Sequence, residues 1–256
     1  MTAVLPRPVT IPPFASNILG AALLLAMFEV VGRAQVFGKN WPPLTEVVTY
    51  VAGNDAVQAT LTRAFGATST SALWGFALGT VVGGALACVT VVARWTAPGL
   101  DRLATIVHAI PLIAIAPLLV TTVGRTTAPT VVAAMGAGFA VFVATSAGLA
   151  SAPAAQSDVH TALGSSRWSR LRFLQLPHTV PLVTDAAGLA VTSAVLGAVL
   201  GEWFGAPKGL GVLLVSAMNN YQIPLLWSAA AGCVVLSLTA YLLVRLLAVP
   251  VHRRFS

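Results

Sequence analysis

The stretch SDVHTALGSSRWSRLRFLQLPHTVP (residues 157–181) sets Arg167, Arg170 and Arg172 within six positions of one another, in a chain that is only 8% charged. Apolar runs flank it on both sides, at 129–150 and 181–201. Each run is close to the ~20 residues that a helix needs to cross a bilayer core. A compact polar insert between two such runs is a loop at a membrane surface. The fold follows outward from that placement.

The 256 residues are 57% hydrophobic, whereas soluble domains are about 45–50% apolar and roughly 25% charged. Hydrocarbon satisfies no backbone polar group, so every crossing segment must be a helix. The chain is therefore expected to be an all-α, polytopic membrane protein with about six spans, at 16–36, 67–93, 103–123, 129–150, 181–201 and 225–248. These make a single transmembrane domain over 1–256, with a loop at 151–180. Arg7 ahead of the first apolar run resembles a secretory signal. The run continues past Glu29 with no small-residue cleavage site, so it is read as a retained span. Pro42 and Pro43 are expected to break the first helix, and the segment 38–66 to lie outside the core.

Six spans leave both termini on one side. That side takes nine of the fourteen Lys and Arg residues, among them Arg94, Arg102, the three loop arginines and Arg245. The other side takes five: Arg33, Lys39, Arg63, Arg125 and Lys208. The richer side is cytoplasmic by the positive-inside rule, which puts the termini and the 157–181 stretch there. The net charge of +7 thus marks loops beside a lipid bilayer and does not call for nucleic acid. Cys88 and Cys233 lie inside apolar runs and are read as small hydrophobes, with neither disulfide nor metal spacing.

No nucleophile elbow, phosphate loop or His-x-x-x-His spacing occurs, so the chain is not expected to be an enzyme and no catalytic or metal-binding residue is assigned. Gly75, Gly79 and Gly83 share one helix face at four-residue spacing, the pattern of close helix packing in lipid. Pro111 and Pro117 interrupt the third span and bend it, and a bent helix can line a pathway. Glu29 and Arg33 have the spacing of a helical ion pair. Glu202 closes the fifth span ahead of WFGAPKGLG. Three roles are open to it: facing a cavity or gate, capping local backbone, or pairing with Lys208.

The loop resembles the signature of the binding-protein-dependent ABC importer permeases. That signature is Glu-Ala-Ala, three residues, Gly, nine residues, a branched apolar residue, any residue, then Leu-Pro. Asp158, Val159 and His160 stand at the Glu-Ala-Ala positions, Gly164 at the glycine, and Leu174, Gln175, Leu176 and Pro177 close the pattern. WPPLTEVV (41–48) resembles the family's outer segment before the second span, and IPLIAIAPLL (110–119) and GEWFGAPKGLGVLL (201–214) are similar to segments of the nitrate, sulfonate and taurine branch.

The resemblance implies the type I importer permease fold in the cell inner membrane. It implies that Asp158, Val159, His160, Ala162, Leu163, Gly164, Leu176 and Pro177 dock a cytoplasmic ATPase subunit. In that arrangement Gly164 reverses the chain, Ser165 or Ser166 caps a second helix, and Pro177 stops it before the fifth span. ATP and Mg would sit on partner ATPase subunits, with no cofactor on this chain. An extracytoplasmic solute-binding protein would deliver a small organic or anionic solute. A second permease subunit would be identical or, given Val159 and His160 in place of two alanines, a different chain. The rival expectation is a stand-alone secondary transporter or channel, which calls for coupling residues at mid-membrane and repeated halves.

Overall fold

The computed structural model describes residues 13–255, with side chains described over 18–251. Every regular element among them is helical. The first, α1 (Pro13–Arg33), covers most of the expected 16–36 segment but is not among the described helices long and apolar enough to cross a membrane. It ends well before Pro42 and Pro43, so these prolines do not break it. Its end is made instead by Gln35 and Gly38, which take positive φ of 50° and 76°. The prolines introduce α2 (Leu44–Ala52), whose N-terminus is held from α1. There Glu29 accepts from Thr45 N at 3.1 Å and from Thr45 Oγ1 at 2.7 Å. The same carboxylate makes the expected pair with Arg33, at 2.6 Å.

The second span is longer than its apolar core suggests. α3 (Asp55–Val92) starts where Asn54 accepts from Val57 N at 3.2 Å, and nothing interrupts it for 38 residues. At 1.5 Å per residue that is roughly 57 Å, against a core of about 30 Å. The helix therefore extends beyond the membrane at residues placed in a loop by polarity alone. After a short 3₁₀ turn, the third span is broken into α4 (Ala97–Ala109) and α5 (Leu112–Val123), bent by 95°. Pro111 makes the break, whereas Pro117 lies inside α5.

α6 (Ala128–Ala150) is the hub, packed between α3 and the fifth span. The glycine face of α3 lies against it. A Cβ on Gly79 would come within 2.6 Å of Ala134 O and 2.8 Å of Gly138 N, and one on Gly83 would overlap Gly138 O. The expected packing role of Gly75, Gly79 and Gly83 is thus a backbone-to-backbone crossing, and all three are buried.

Between α6 and the next span lie α7 (Ala154–Ala162) and the single turn α8 (Arg167–Arg170). A π-turn at Leu171–Gln175 then leads without a break into α9 (Leu176–Glu202), and the continuous helix spans Arg167–Glu202. Pro177 does not stop the second helix. The widened turn ahead of it accommodates the missing N–H, so proline sits at the start of α9 as it would in a helical first turn. The last residues of the expected 151–180 loop therefore belong to the fifth span's helix. α10 (Leu210–Asn219) is apolar but too short to cross, and α11 (Ile223–Phe255) is the last span. Four helices of the described residues are long and apolar enough to cross a membrane, and the bent α4–α5 pair makes a fifth.

Candidate functional site

The loop between α6 and α9 is built around Gly164. α7 ends at Ala162, and Gly164 takes φ +68°. Gly164 N then donates to Thr161 O at 3.0 Å and Ser165 N to His160 O at 2.9 Å. This pair of bonds is the Schellman closure, which satisfies carbonyls at a helix end and favours glycine at the left-handed position. Ser166, one of the two expected caps, accepts from Ser169 N at 3.1 Å and opens α8. The turn thus folds on local signals alone.

The eight loop residues divide by exposure. Asp158, Val159, Ala162, Leu163 and Gly164 are exposed, and His160 is half-buried beside Ser165 Oγ at 3.2 Å. Leu163 is 77% exposed, Trp168 61% and Phe173 67%. Leu176 and Pro177 are half-buried. Leu176 packs on the cluster of Ala87, Phe142, Leu149 and Leu171, so it anchors the loop to the spans. Two further ties reach the helix ends. Arg167 donates to Val92 O at 3.2 Å, at the last residue of α3, and Gln175 donates to Leu149 O at 3.2 Å on α6. Trp168, Phe173 and these ties are not visible in the Leu-Pro spacing, although the arginine cluster hinted at one of them.

At the other end of α9, Glu202 is 1% exposed. Its Oε2 accepts from Gly211 N at 2.8 Å and from Thr68 Oγ1 at 3.0 Å, while Thr68 Oγ1 accepts from Leu210 N at 2.8 Å. The carboxylate caps the N-terminus of α10, where a negative group is favoured, and Glu202 also borders a cavity of about 370 Å³. Gly209 permits the approach, because a Cβ there would overlap the carboxylate and its φ is +143°. Lys208 is exposed and lines a different cavity. Thr68 was missed at the sequence level, since its partner lies 134 residues away.

The bend of the third span opens an apolar cavity of about 270 Å³ between α3, α4 and α6, lined by Leu103, Val107, Met135 and Phe139 among others. Neither Pro111 nor Pro117 lines it, and both are exposed. His108 stacks on Phe139 at its edge, with ring centroids 3.7 Å apart.

Residues 75–256 match the family described as binding-protein-dependent transport system inner membrane component. Over 155 residues, 60% of the chain, it is 30% identical to the riboflavin transport system permease protein RibX of Chloroflexus aurantiacus. It is 33% identical over 168 residues, 65% of the chain, to a probable ABC transporter permease protein of Haemophilus influenzae. A third relative is the formylaminopyrimidine transport permease protein ThiX of Halalkalibacterium halodurans, 31% identical over 45% of the chain. The matched segments span 58%, 69% and 46% of those relatives' own lengths. Among solved structures, a chain of the MetNI methionine ABC transporter in inward-facing form superposes with a TM-score of 0.67 at 19% identity, covering 77% of this chain and 99% of that one. That likeness shows a shared fold. None of these names a nitrate, sulfonate or taurine system.

Proposed function

The chain belongs to the family of inner membrane components of binding-protein-dependent transport systems, and we propose that it is the membrane-spanning permease subunit of an ATP-driven importer of a small solute. The observation that carries this is the exposed helical turn of α7 and α8. Its apolar residues, Val159, Leu163 and Trp168, stand clear of the spans while Leu176 and Arg167 fix its base. Single apolar side chains on a surface need no explanation, but several large ones exposed within one short polar turn suit a protein partner. In this reading that partner is an ATPase subunit, which carries ATP and Mg; the permease itself hydrolyses nothing. A second permease subunit completes the pathway, and an extracytoplasmic binding protein delivers the solute.

The structure supplies a route from loop to pathway. The loop runs without a break into the helix Arg167–Glu202, 36 residues and roughly 54 Å long. Its far end carries Glu202, which holds both α10 and α3. Displacement of the loop by the ATPase pair is therefore delivered to α3 and α6 at their cytoplasmic ends and to α10 at the other. Alternation then follows as a population shift, with ATP favouring the state that its subunits close upon.

The test is co-purification of the full chain with ATP-binding cassette subunits from the same organism. Leu163→Asp places a charge on an exposed apolar contact, and Gly164→Val opposes the left-handed turn. Both should release the ATPase subunit and lower solute-dependent ATP hydrolysis while the chain stays folded. Retention of the ATPase by both variants, or solute transport by this chain alone without ATP, would reject the assignment and favour the secondary transporter.

A further inference from the structure

On the side opposite the loop, the permease assignment leaves one cavity without a use. It measures about 230 Å³ and lies between α3, the start of α6 and the connection from α9 to α10. Arg125 and Lys208 line it, with the hydroxyls of Thr70, Ser71, Thr126 and Thr130, and no carboxylate does. Neither cation takes part in an ion pair among the described residues. α6 begins at its edge, and the N-terminus of a 23-residue helix adds positive potential there.

Arg125 is held in place. Its Nε donates to Gly205 O, which fixes the plane of the guanidinium. Gly205 takes φ +102°, and a Cβ there would lie 3.3 Å from Nη2, so the loop backbone lies close against the group. The hydrogens on Nη1 and Nη2 have no acceptor among the described hydrogen bonds of this residue. A guanidinium oriented through one edge presents a fork that matches a planar or tetrahedral oxyanion with two parallel bonds. The same group borders a second cavity of about 370 Å³, which Ser216, Asn219 and Asn220 line together with Glu202. Arg125 borders both cavities, and the second is within the size range of small-molecule sites.

We propose that Arg125 and Lys208, with Ser71, Thr126 and Thr130, form an oxyanion-binding vestibule that receives the carboxylate, phosphate or sulfonate group of the transported solute. The proposal rests on the permease assignment, which alone brings a solute to this face. Sulfate and acetate are the probes. The full chain, in nanodiscs of phosphatidylcholine, is unfolded thermally at rising sulfate or acetate and constant ionic strength.

The wild type should show a saturable rise in its unfolding midpoint. Loss of a bidentate charge-assisted contact should move the half-saturation point at least about tenfold higher in Arg125→Gln. Lys208→Gln, at an exposed position with no ion pair to lose, should shift it in the same direction. Identical dependence in the wild type and both variants would overturn the vestibule as a general salt effect. So would a rise seen only when phosphatidylglycerol is added, which assigns the cations to a lipid headgroup. Arg125→Gln should still co-purify with the ATPase subunit. Failure of the anion titration with the ATPase retained removes the vestibule alone, whereas failure of wild-type co-purification removes the permease assignment.

Discussion

Glu202 shows how one carboxylate can order three segments. Its Oε2 takes bonds from Gly211 N and Thr68 Oγ1, and all three groups are buried. Glu202→Ala would leave the buried Gly211 N–H unsatisfied, at about 1–3 kcal/mol, while the Thr68 hydroxyl keeps Ala64 O as acceptor. Glu202→Gln keeps an acceptor of the same length and should lose less. Hydrogen exchange at the Gly211 amide reads this directly: fast in the alanine variant, intermediate in glutamine, slow in the wild type. Equal exchange in all three would mean that α10 is held by packing alone. At this scale the sequence was legible where the signal was local. Gly164 after Ala162 and Leu163 already read as a reversal, and its φ of +68° bears that out. Thr68 was not legible, because a hydroxyl in an apolar helix ordinarily bonds its own preceding turn, and this one also reaches across to another span.

Among the elements, α3 and α6 define how tightly the bundle closes. Their crossing depends on glycine because the facing atoms are backbone: Ala134 O and Gly138 N lie opposite Gly79, and backbone cannot swing away as a side chain can. Gly79→Ala should therefore destabilise the detergent-purified chain by about 1–3 kcal/mol, the range for overpacking a fitted interior. Gly84→Ala is the control: it lies on the same helix with nothing within 4 Å of its would-be Cβ, and should be near neutral. Comparable losses in both would show that helix flexibility, and not the crossing, sets the requirement. The four-residue glycine spacing made this contact legible as a face, though not its partner. Proline was the less reliable sign. Pro111 breaks its span, yet Pro117 and Pro181 lie inside helices and Pro177 opens one. A missing N–H matters only where no irregular turn or free first-turn position absorbs it.

Across the whole molecule, orientation is the property that ties the two ends of α9 to opposite compartments. It was read from nine cations against five, without any contact, because charge bias acts during insertion and not in the finished fold. The structure adds a constraint that the tally lacks: the exposed turn at Leu163 and the exposed Lys208 lie at opposite ends of one continuous helix and cannot share a side. Single cysteines at these positions, in a background lacking Cys88 and Cys233, make the orientation measurable with a membrane-impermeant maleimide. Leu163→Cys should react only in inverted vesicles, and Lys208→Cys only in intact cells. Both side chains are exposed in this chain, so in vesicles that lack the ATPase subunit a negative result reports compartment and not burial. The reverse labelling would place the α7–α8 turn outside the cell, beyond reach of ATP, and would reject the permease mechanism together with the outer position of the Arg125 vestibule. Labelling of both residues from the same side would go further, since it requires the helix from Arg167 to Glu202 to fold back within the membrane.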